Sequence, residues 1–540
     1  MPQIIPNRDG SGGIIRYDKL DWISGLAKHI QNVTNVALAS KSLVHTVAFN
    51  PYRALDGYAF PGFEPVDVTN VGIVDTKLKA GVVHGVNAYF TSAGTELHQF
   101  VIATSTLTTP TTFPHTIDHS HTGEIGEDVV VYSTKTTATG ATKVARLFYS
   151  FNDDTDGDVG IYDFSTTFDD SFMSTVPASG AVLVKDNKHP MLVGHDDILY
   201  IGDGNILKSF DGATGADGTF DPASLTLPAD QEIISLALLK PRTLAIFTFR
   251  SGVSSANRGE AFCHLWDYLK SDPYKTYSLD DNQVGGAFEF LGTIGCFTKG
   301  RANSAFTTNN TKMKMLIDDR FKTIQEFSGD VPDHGSVDIT GDTLVWTSGG
   351  NIYSYGDTMG LGVAFHKFAK GLGTSVGVCI HLSNNLFVVS TGATTLGGLQ
   401  KFSTGYDANG YLQTVGVSPL FAENEQGKIT MIKTKFAFDS QSTPSDTDGR
   451  DLDLKLKIDG GKTTVTVFSA IRGVIFTGTP AANQSLFTRI DTTDSSDADF
   501  PLFSDLSLIA DWGSGGNNSA LAMGLDYVEI HYITEKVSEE

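Results

Sequence analysis

One hydrophobic pattern recurs along most of the chain: an apolar strand, a short Gly, Asp or Asn turn, and a second strand that ends on an aromatic residue. The clearest copies are residues 197–210 (DILYIGDGNILKSF) and 342–355 (DTLVWTSGGNIYSY), which share Gly-Asn-Ile at 204–206 and 350–352. Short apolar runs rich in β-branched and aromatic residues, joined by such turns, are typical of β-hairpins. The pattern therefore predicts a chain of antiparallel hairpins.

Looser copies of this hairpin occur at nearly even intervals. The hairpins begin near residues 87, 145, 197, 243, 293, 342 and 385, so successive starts are 58, 52, 46, 50, 49 and 43 residues apart. Strand-rich units repeating every 40–50 residues are typical of propeller blades, which are small antiparallel sheets that cover one another. The spacing predicts a β-propeller of about seven blades over residues 66–417. A β-solenoid or several β-sandwiches are the alternatives, although sandwiches show no long period.

The C-terminal residues 418–540 follow a second pattern, in which apolar and polar residues alternate. Alternation is strong over residues 428–438, 452–458 and 525–533, and the turn Asp459-Gly460-Gly461 follows the second of these runs. A period of two predicts strands of sheets with one wet face. We therefore expect a C-terminal β-sandwich.

Residues 1–65 fit neither pattern. Apolar residues at helix-like offsets over residues 17–38 predict a short helix, and the Pro- and Gly-containing stretch 48–65 predicts an extended arm. Such an arm packs on its own propeller or reaches a neighbouring subunit. The predicted domains are thus an N-terminal arm with a short helix (1–65), a β-propeller (66–417) and a β-sandwich (418–540).

The composition narrows the functional classes. Gly (56), Phe (34) and Tyr (17) are abundant, which suits pleated sheets and tight turns and agrees with an all-β protein. The chain has 39 basic and 62 acidic residues and a net charge of −23. We therefore expect no general basic surface for nucleic acid. The N-terminus lacks a signal-peptide pattern and the apolar run 233–239 is too short to span a bilayer, which predicts a protein made in the cytoplasm without a membrane anchor.

The cysteines and the acidic runs provide few candidates for a disulfide or a metal site. Cys263, Cys296 and Cys379 lie in apolar stretches without a CxxC pair, which predicts buried free thiols and neither a disulfide framework nor a zinc site. One run matches the start of a calcium loop, because hard oxygens at alternate positions suit Ca²⁺. The favoured alternative is a solvated hairpin tip between two strands. The residues of the run are Asn152, Asp154, Asp156, Gly157 and Asp163.

A histidine-rich segment is the other candidate metal site. His115, His119 and His121 alternate along residues 115–121, so His119 and His121 could chelate a metal with Asp118 or Glu124. The default interpretation is an exposed polar loop. No nucleophile elbow, P-loop, HExxH motif or dinucleotide-binding fingerprint occurs, so we expect no catalytic residue, no resident metal and no cofactor.

The four tryptophans bear on an alternative function, the binding or degradation of polysaccharide. Trp22, Trp266, Trp346 and Trp512 do not cluster in the sequence. Trp266 and Trp346 fall within predicted blade hairpins, where a core or blade-interface position is favoured over a sugar-binding platform. An acidic glycosidase pair is not marked by any pattern.

Five short motifs accompany the predicted order of an N-terminal arm, a propeller and a C-terminal sandwich. They are residues 50–65 (NPYRALDGYAFPGFEP), 233–252 (IISLALLKPRTLAIFTFRSG), 284–297 (VGGAFEFLGTIGCF), 418–421 (SPLF) and 458–461 (IDGG). In this order of elements and in these motifs, the chain resembles the tail nozzle or hub proteins of short-tailed bacteriophages over most of its length.

The resemblance implies a structural protein of the virion tail, made in the host cytoplasm and without enzymatic activity. Several copies would form a ring and attach to other tail proteins, such as an adaptor or a fibre. Genomic DNA would pass through the lumen without sequence-specific binding, because a negative wall does not hold phosphates.

Overall fold

In a computed structural model, the chain is built almost wholly from β-strands. The structure describes residues 3–18, 43–47, 49–50, 60–61, 63–67, 78–103, 106–108, 112–117, 124–135, 143–175, 183–212, 219–240, 242–250, 259–300, 310–340, 343–357, 363–370, 376–382, 386–391, 398–406, 410–440, 452–468, 485–491, 500–512 and 521–537. The chain divides into two compact units: unit 1 is residues 1–66, 351–371 and 402–540, and unit 2 is residues 67–350 and 372–401.

Among the described residues before residue 68 there are six short strands. They are β1 (Gln3–Pro6), β2 (Gly12–Tyr17), β3 (Leu43–Val47), β4 (Phe49–Asn50), β5 (Phe60–Pro61) and β6 (Phe63–Asp67). Of the predicted helix of residues 17–38, the structure describes only Tyr17, which is the last residue of β2, and Asp18. Most of the predicted arm of residues 48–65 lies outside the described residues. Strands β4 and β5 pair with each other.

Seven small antiparallel sheets, numbered here in chain order, follow. Sheet 1 contains β7 (Leu78–His84), β8 (Asn87–Ser92), β9 (Glu96–Ala103), β10 (Thr106–Thr108) and β11 (His115–Thr116). Sheet 2 contains β12 (Ile125–Lys135), β13 (Lys143–Asn152), β14 (Gly157–Tyr162) and β15 (Phe168–Asp169). Sheet 3 contains β16 (Met191–Val193), β17 (Leu199–Asp203), β18 (Ile206–Phe210) and β19 (Phe220–Thr226). A helical turn, α1 (Phe172–Thr175), separates sheets 2 and 3.

Sheets 4 to 7 repeat this plan. Sheet 4 contains β20 (Gln231–Leu239), β21 (Thr243–Arg250), β22 (Glu260–Trp266) and β23 (Lys275–Ser278), and sheet 5 contains β24 (Gln283–Phe290), β25 (Thr293–Lys299), β26 (Thr311–Ile317) and β27 (Arg320–Phe327). Sheet 6 contains β28 (Val337–Thr340), β29 (Thr343–Ser348), β30 (Asn351–Asp357) and β31 (Val363–Lys370). Sheet 7 contains β32 (Val376–Leu382), β33 (Leu386–Thr391) and β34 (Gly398–Tyr406), with β6 as its fourth strand.

Every predicted hairpin forms the second and third strands of one of these sheets. The two best copies, for example, are β17–β18 and β29–β30, and their turns contain Gly204 and Gly350 in the left-handed region (φ +58° and +74°). Consecutive four-stranded antiparallel sheets of this kind are the building units of a β-propeller. The prediction of an all-β, propeller-type chain is therefore confirmed at this level.

The first strands of the seven sheets lie next to one another in unit 2. Each contacts the next in the order β7, β12, β16, β20, β24, β28 and β32, and β32 contacts β7. Aromatic side chains fill the space between neighbouring sheets. Trp346 on β29 is fully buried and lies with its ring centroid 4.9 Å from that of Phe297 on β25 and 5.6 Å from that of Phe327 on β27. A single large side chain thus joins sheets 5 and 6.

The C-terminal strands build two five-stranded sheets. The strands are β35 (Tyr411–Thr414), β36 (Glu425–Ser440), β37 (Asp453–Ile458), β38 (Thr463–Phe468), β39 (Ser485–Asp491), β40 (Leu506–Asp511) and β41 (Leu521–Lys536), with a 3₁₀ turn at Asp459–Gly461. Sheet A has the order β1-β2-β41-β36-β39, and sheet B has the order β3-β35-β40-β37-β38. The three alternating runs of the sequence are β36, β37 and β41, as predicted.

One apolar cluster in unit 1 contains residues of both sheets. Leu454, Leu456 and Ile458 on β37 alternate with half-buried polar residues, so every second side chain of this strand enters the cluster. Val528 and Ile530 on β41 enter it from sheet A. Alternation therefore places one face of each sheet against the shared core.

The N-terminal strands differ from the predicted arm. Strand β2 pairs with β41, and Ile15 and Tyr17 are fully buried in the same apolar cluster. A Cβ atom on Gly12 would lie 2.1 Å from the Tyr532 carbonyl oxygen, so only glycine allows this close pairing. The segment is too short for its alternation to be recognised in the sequence. The predicted division into 1–65, 66–417 and 418–540 stays a prediction, and the compact units group the residues differently.

Candidate functional site

A polar cavity of about 280 Å³ lies where the first strands of the sheets of unit 2 begin. Its wall is formed by residues that begin or precede these strands and by one residue near the end of β21. The polar lining residues are Lys79, Glu127, Asp128, Lys188, His189, Gln283, Asp333 and His334, and the apolar ones include Pro190, Ile234, Phe249, Val284, Val331 and Pro332. We call this space the polar cavity.

Two lysines share one carboxylate at the cavity wall. Lys79 Nζ lies 2.6 Å from one oxygen of Glu127, and Lys188 Nζ lies 3.2 Å from the other. The Lys188 backbone N–H also donates to Glu232 at 3.0 Å. The side chains of Lys79 and Glu127 are mostly buried, whereas that of Lys188 is 44% exposed. The cluster therefore joins the starts of sheets 1, 2, 3 and 4.

A hydrogen-bonded network centred on His334 forms another part of the wall. His334 Nε2 lies 3.2 Å from an Asp128 carboxylate oxygen and 3.3 Å from the Met191 carbonyl oxygen. His334 Nδ1 lies 2.6 Å from Ser235 Oγ, which accepts a hydrogen bond from the Ala287 N–H at 2.9 Å. These residues belong to or immediately precede the first strands of sheets 2 to 6. One imidazole thus connects five sheets.

By residue type, Ser235, His334 and Asp128 match a catalytic triad, in which a serine is the nucleophile, a histidine is the base and an aspartate orients the histidine. A nucleophile must reach its substrate, yet Ser235 is fully buried and its oxygen already accepts the Ala287 N–H. The Asp128 carboxylate also serves the backbone, because its two oxygens accept hydrogen bonds from the N–H groups of Val129 and Met191 at 2.8 and 2.6 Å. The three side chains therefore act together in holding the sheets.

Burial and charge act differently on the ionisable groups of the cavity. Burial lowers the pKa of Lys79, although the Glu127 carboxylate partly offsets it. Burial also acts to lower the pKa of Lys188, but the carboxylates of Glu127 and Asp333 outweigh it, so this pKa is raised. Burial also acts to lower the pKa of His334, but the Asp128 carboxylate outweighs burial, so the pKa of His334 lies above its usual value. Nearby carboxylates thus stabilise the cationic forms of Lys188 and His334 against the effect of burial.

The acidic run that matches a calcium loop is a hairpin tip. Asn152 pairs with Gly157, and Asp153 accepts the N–H groups of Thr155 and Asp156 within the turn. Asp163 follows the far end of β14, about 20 Å away at 3.3 Å per strand residue, and caps a separate turn at Ser165. The run therefore does not wrap around one ion, and the solvated hairpin tip is the better description.

The histidine segment lies partly outside the structure. His119, His121 and Asp118 are outside the described residues. His115 is engaged by the Asp170 carboxylate at 3.1 Å and stacks on Phe168 with a centroid distance of 3.7 Å. Within the part of the chain that the structure describes, no group of three or more His, Cys, Asp or Glu side chains is placed to hold a metal ion.

The described tryptophans and the three cysteines lie in the interior, as predicted for Trp266, Trp346 and the cysteines, and Trp22 lies outside the described residues. Trp266 and Trp346 are 3% and 0% exposed and pack between sheets, and Trp512 lies in the apolar cluster of unit 1. All three cysteines are buried free thiols. Burial raises the pKa of each of these thiols. Among the described residues, no helix is both long and apolar enough to cross a membrane.

The sequence did not reveal the residues of the polar cavity. A weak signal exists, because charged pairs stand near the start of several first strands, such as Glu127-Asp128, Lys188-His189 and Asp333-His334. The pairs do not share one offset from the strand starts, because Glu127 lies within its first strand whereas Lys188 and Asp333 precede theirs. Contacts between the first strands of separate sheets bring them together.

Comparisons with known proteins give structural likeness only. No family model matches the sequence, and no curated protein matches it. The computationally designed Ika8 protein is 13% identical, with a TM-score of 0.38, over 64% of this chain and 100% of that chain. The Dos1 propeller is 11% identical, with a TM-score of 0.35, over 65% of this chain and 91% of that chain. YCF48 bound to a D1 peptide is 9% identical, with a TM-score of 0.39, over 64% of this chain and 97% of that chain. The fold assignment rests on the sheet order and strand contacts of this chain.

Proposed function

We propose that sheets 1 to 7 are the blades of one seven-bladed β-propeller and that sheets A and B form a β-sandwich. The contacts between successive first strands, including that between β32 and β7, support a closed ring of blades. The single apolar cluster that sheets A and B share supports the sandwich. A cryo-EM map with six or eight blades, or with the two five-stranded sheets apart, would contradict this architecture.

On this architecture we propose a structural function, in which the protein is a non-catalytic component of an assembly of several copies. The observation that supports it best is the network of His334, Asp128 and Ser235, which uses the polar side chains at the centre to connect sheets. Such a network makes the propeller a rigid platform. The resemblance noted in the sequence points to the tail nozzle of a short-tailed bacteriophage.

In that role, copies of the chain form a ring in the virion tail and contact an adaptor or a fibre. DNA moves through the lumen of the ring. The net charge of −23 supports this role, because an acidic protein does not retain phosphates and lets DNA slide. The polysaccharide-binding alternative gains no support from the described tryptophans, which are all buried.

The assembly is tested by measuring mass and shape over a range of concentrations. Mass photometry and negative-stain images of the purified chain are expected to show closed rings whose population grows with concentration. Binding to double-stranded DNA is expected to be weak and to disappear at moderate salt. A chain that stays monomeric at high concentration and binds DNA tightly would falsify the proposal. Selective binding on a glycan array would favour the polysaccharide alternative instead.

A further inference from the structure

The hydrogen-bonding capacity of the polar cavity is unbalanced in favour of donors. Each lysine ammonium carries three N–H groups. The Nζ atoms of Lys79 and Lys188 each donate one hydrogen bond to Glu127 and make no other among the described residues. Both oxygens of Glu127 are thereby used. The two ammonium groups therefore hold spare N–H donors without a protein acceptor in the described part of the chain.

The carboxylates that line the cavity do not supply the missing acceptors. Both oxygens of Asp128 accept backbone N–H groups, and one of them also lies beside His334. Asp333 acts on Lys79 and Lys188 through its charge. An oxyanion entering the cavity would find unused N–H donors on Lys79 and Lys188, and both carboxylate oxygens of Glu127 and of Asp128 already engaged.

Part of the cavity lining is apolar. Pro190, Ile234 and Phe249 belong to it, together with Val284, Val331 and Pro332. A volume of about 280 Å³ is just below the usual range for small-molecule sites, which suits a ligand of few atoms. Such sites combine a mainly apolar wall with a few convergent polar groups. The half-exposed Lys188 side chain keeps one ammonium group accessible from solvent.

We infer that the polar cavity binds a small organic carboxylate, with its oxygens on Lys79 and Lys188 and its apolar body against Ile234 and Phe249. Burial lowers the pKa of Lys79, and a bound anion would offset that effect by adding negative charge. The same chemistry could come from a free small molecule or from the C-terminal carboxylate of a peptide. The inference does not depend on the proposed assembly function.

Calorimetric titration of the full chain with benzoate tests this inference. We expect saturable binding with a dissociation constant below about 1 mM, which is within the range for a ligand of this size. Benzamide has the same shape without the charge and is expected to bind at least about tenfold more weakly. Inorganic phosphate has the charge without the apolar body and is also expected to bind more weakly. Two short peptides ending in phenylalanine, one with a free carboxylate and one amidated, distinguish a peptide source from a free molecule.

Variants locate the site. Lys188→Gln is expected to weaken benzoate binding by about tenfold, and Lys79→Met by at least as much. Lys240→Gln is the matched control, because Lys240 immediately follows β20, away from the polar cavity, and pairs with Glu289 at 3.5 Å. Its binding constant is expected to be unchanged. If Lys79→Met does not fold, Lys188→Gln decides alone.

Three results would overturn the inference. They are the absence of saturable benzoate binding up to about 10 mM, equal binding of benzoate and benzamide, and an unchanged constant in Lys188→Gln. Equal loss of binding in Lys240→Gln would also overturn it, because that result would assign the effect to net charge and not to the cavity.

Discussion

Unit 1 and unit 2 are both made of antiparallel strands, but their centres are filled by different kinds of side chain. In unit 1 the facing sides of sheets A and B share a cluster of Leu, Ile, Val and aromatic residues, including the fully buried Trp512. In unit 2 the first strands of the small sheets meet around Lys79, Asp128 and His334. Apolar side chains there lie between neighbouring sheets instead.

The difference follows from how many surfaces must be covered. Two large sheets can bury one face each against the other, so a single apolar core is sufficient. Small sheets that cover one another side by side place their apolar side chains between neighbours, and their first strands leave a narrow space at the centre. Burying polar groups in that space costs free energy unless they are hydrogen-bonded, and the network of His334, Asp128 and Ser235 supplies such bonds. The centre of unit 2 is therefore specified by hydrogen bonds and that of unit 1 by packing.

The largest expected effects come from removing one tryptophan in each unit. Trp346→Ala and Trp512→Ala are each expected to lower the free energy of unfolding by about 3–5 kcal/mol, because both side chains are fully buried. Urea denaturation measures the loss. Hydrogen exchange is expected to rise between sheets 5 and 6 in the first variant and across sheets A and B in the second. A loss below about 1 kcal/mol in either variant would mean that the packing described here is wrong.

Breaking the polar centre is the next largest change. Asp128→Ala leaves His334 without its carboxylate and the Val129 and Met191 N–H groups without acceptors, which is expected to cost about 3 kcal/mol. The matched control is Asp330→Ala, since Asp330 is 93% exposed and pairs with Lys299 at the surface. That variant is expected to change stability by less than about 0.5 kcal/mol. Equal effects in the two variants would remove the distinction between the centres.

Acid is expected to destabilise unit 2 through buried neutral histidines. Burial lowers the pKa of His98 and His264 from 6.5 to about 4, so the unfolded chain binds more protons than the folded chain in this interval. Their contribution is complete above pH 6.5 and is lost as the pH falls towards 4, by up to about 3 kcal/mol for each residue. Denaturation midpoints at pH 7, 5.5 and 4 measure the effect.

His264→Gln provides the control for this pH dependence, because it removes one titrating group and is expected to flatten the profile by that residue's share. His334 makes the stability depend on pH in the opposite direction. Its pKa is raised, so its contribution is complete below pH 6.5 and is lost as the pH rises through the raised value. A stability that stayed constant between pH 7 and 4 would contradict the burial of His98 and His264.

The smallest expected effect is a gain. Leu291 lies in the two-residue turn between β24 and β25 with a φ of +51° and a side chain that is 55% exposed. The left-handed region costs a branched residue about 1 kcal/mol, and Asn-Gly is the preferred sequence for this turn. Leu291→Asn is therefore expected to raise the free energy of unfolding by about 1 kcal/mol, measured by urea denaturation. Val86→Asn, at an exposed turn without this φ, is the control and is expected to give no gain.

The sequence predicted the hairpins well because each is local. Residues 197–210 contain both strands and the Gly-Asn turn of one hairpin, so neighbouring residues determine it. Long alternating runs such as β36 were equally clear. The polar cavity was not predictable in this way, because Lys79, Asp128 and His334 lie in separate repeats and each alone resembles an ordinary surface residue. Strand β2 was missed because glycine occupies its first two positions and few alternating residues remain.

The pairing of β2 with β41 has a consequence for synthesis. A growing polypeptide leaves the ribosome N-terminus first, so β2 emerges long before β41 has been translated. Ile15 and Tyr17 therefore remain without their cover during most of translation, and sheet A can be completed only after residues 521–536 have emerged. Prematurely released chains that end before β41 would display this apolar strand to chaperones and proteases, which gives the cell a means to remove them.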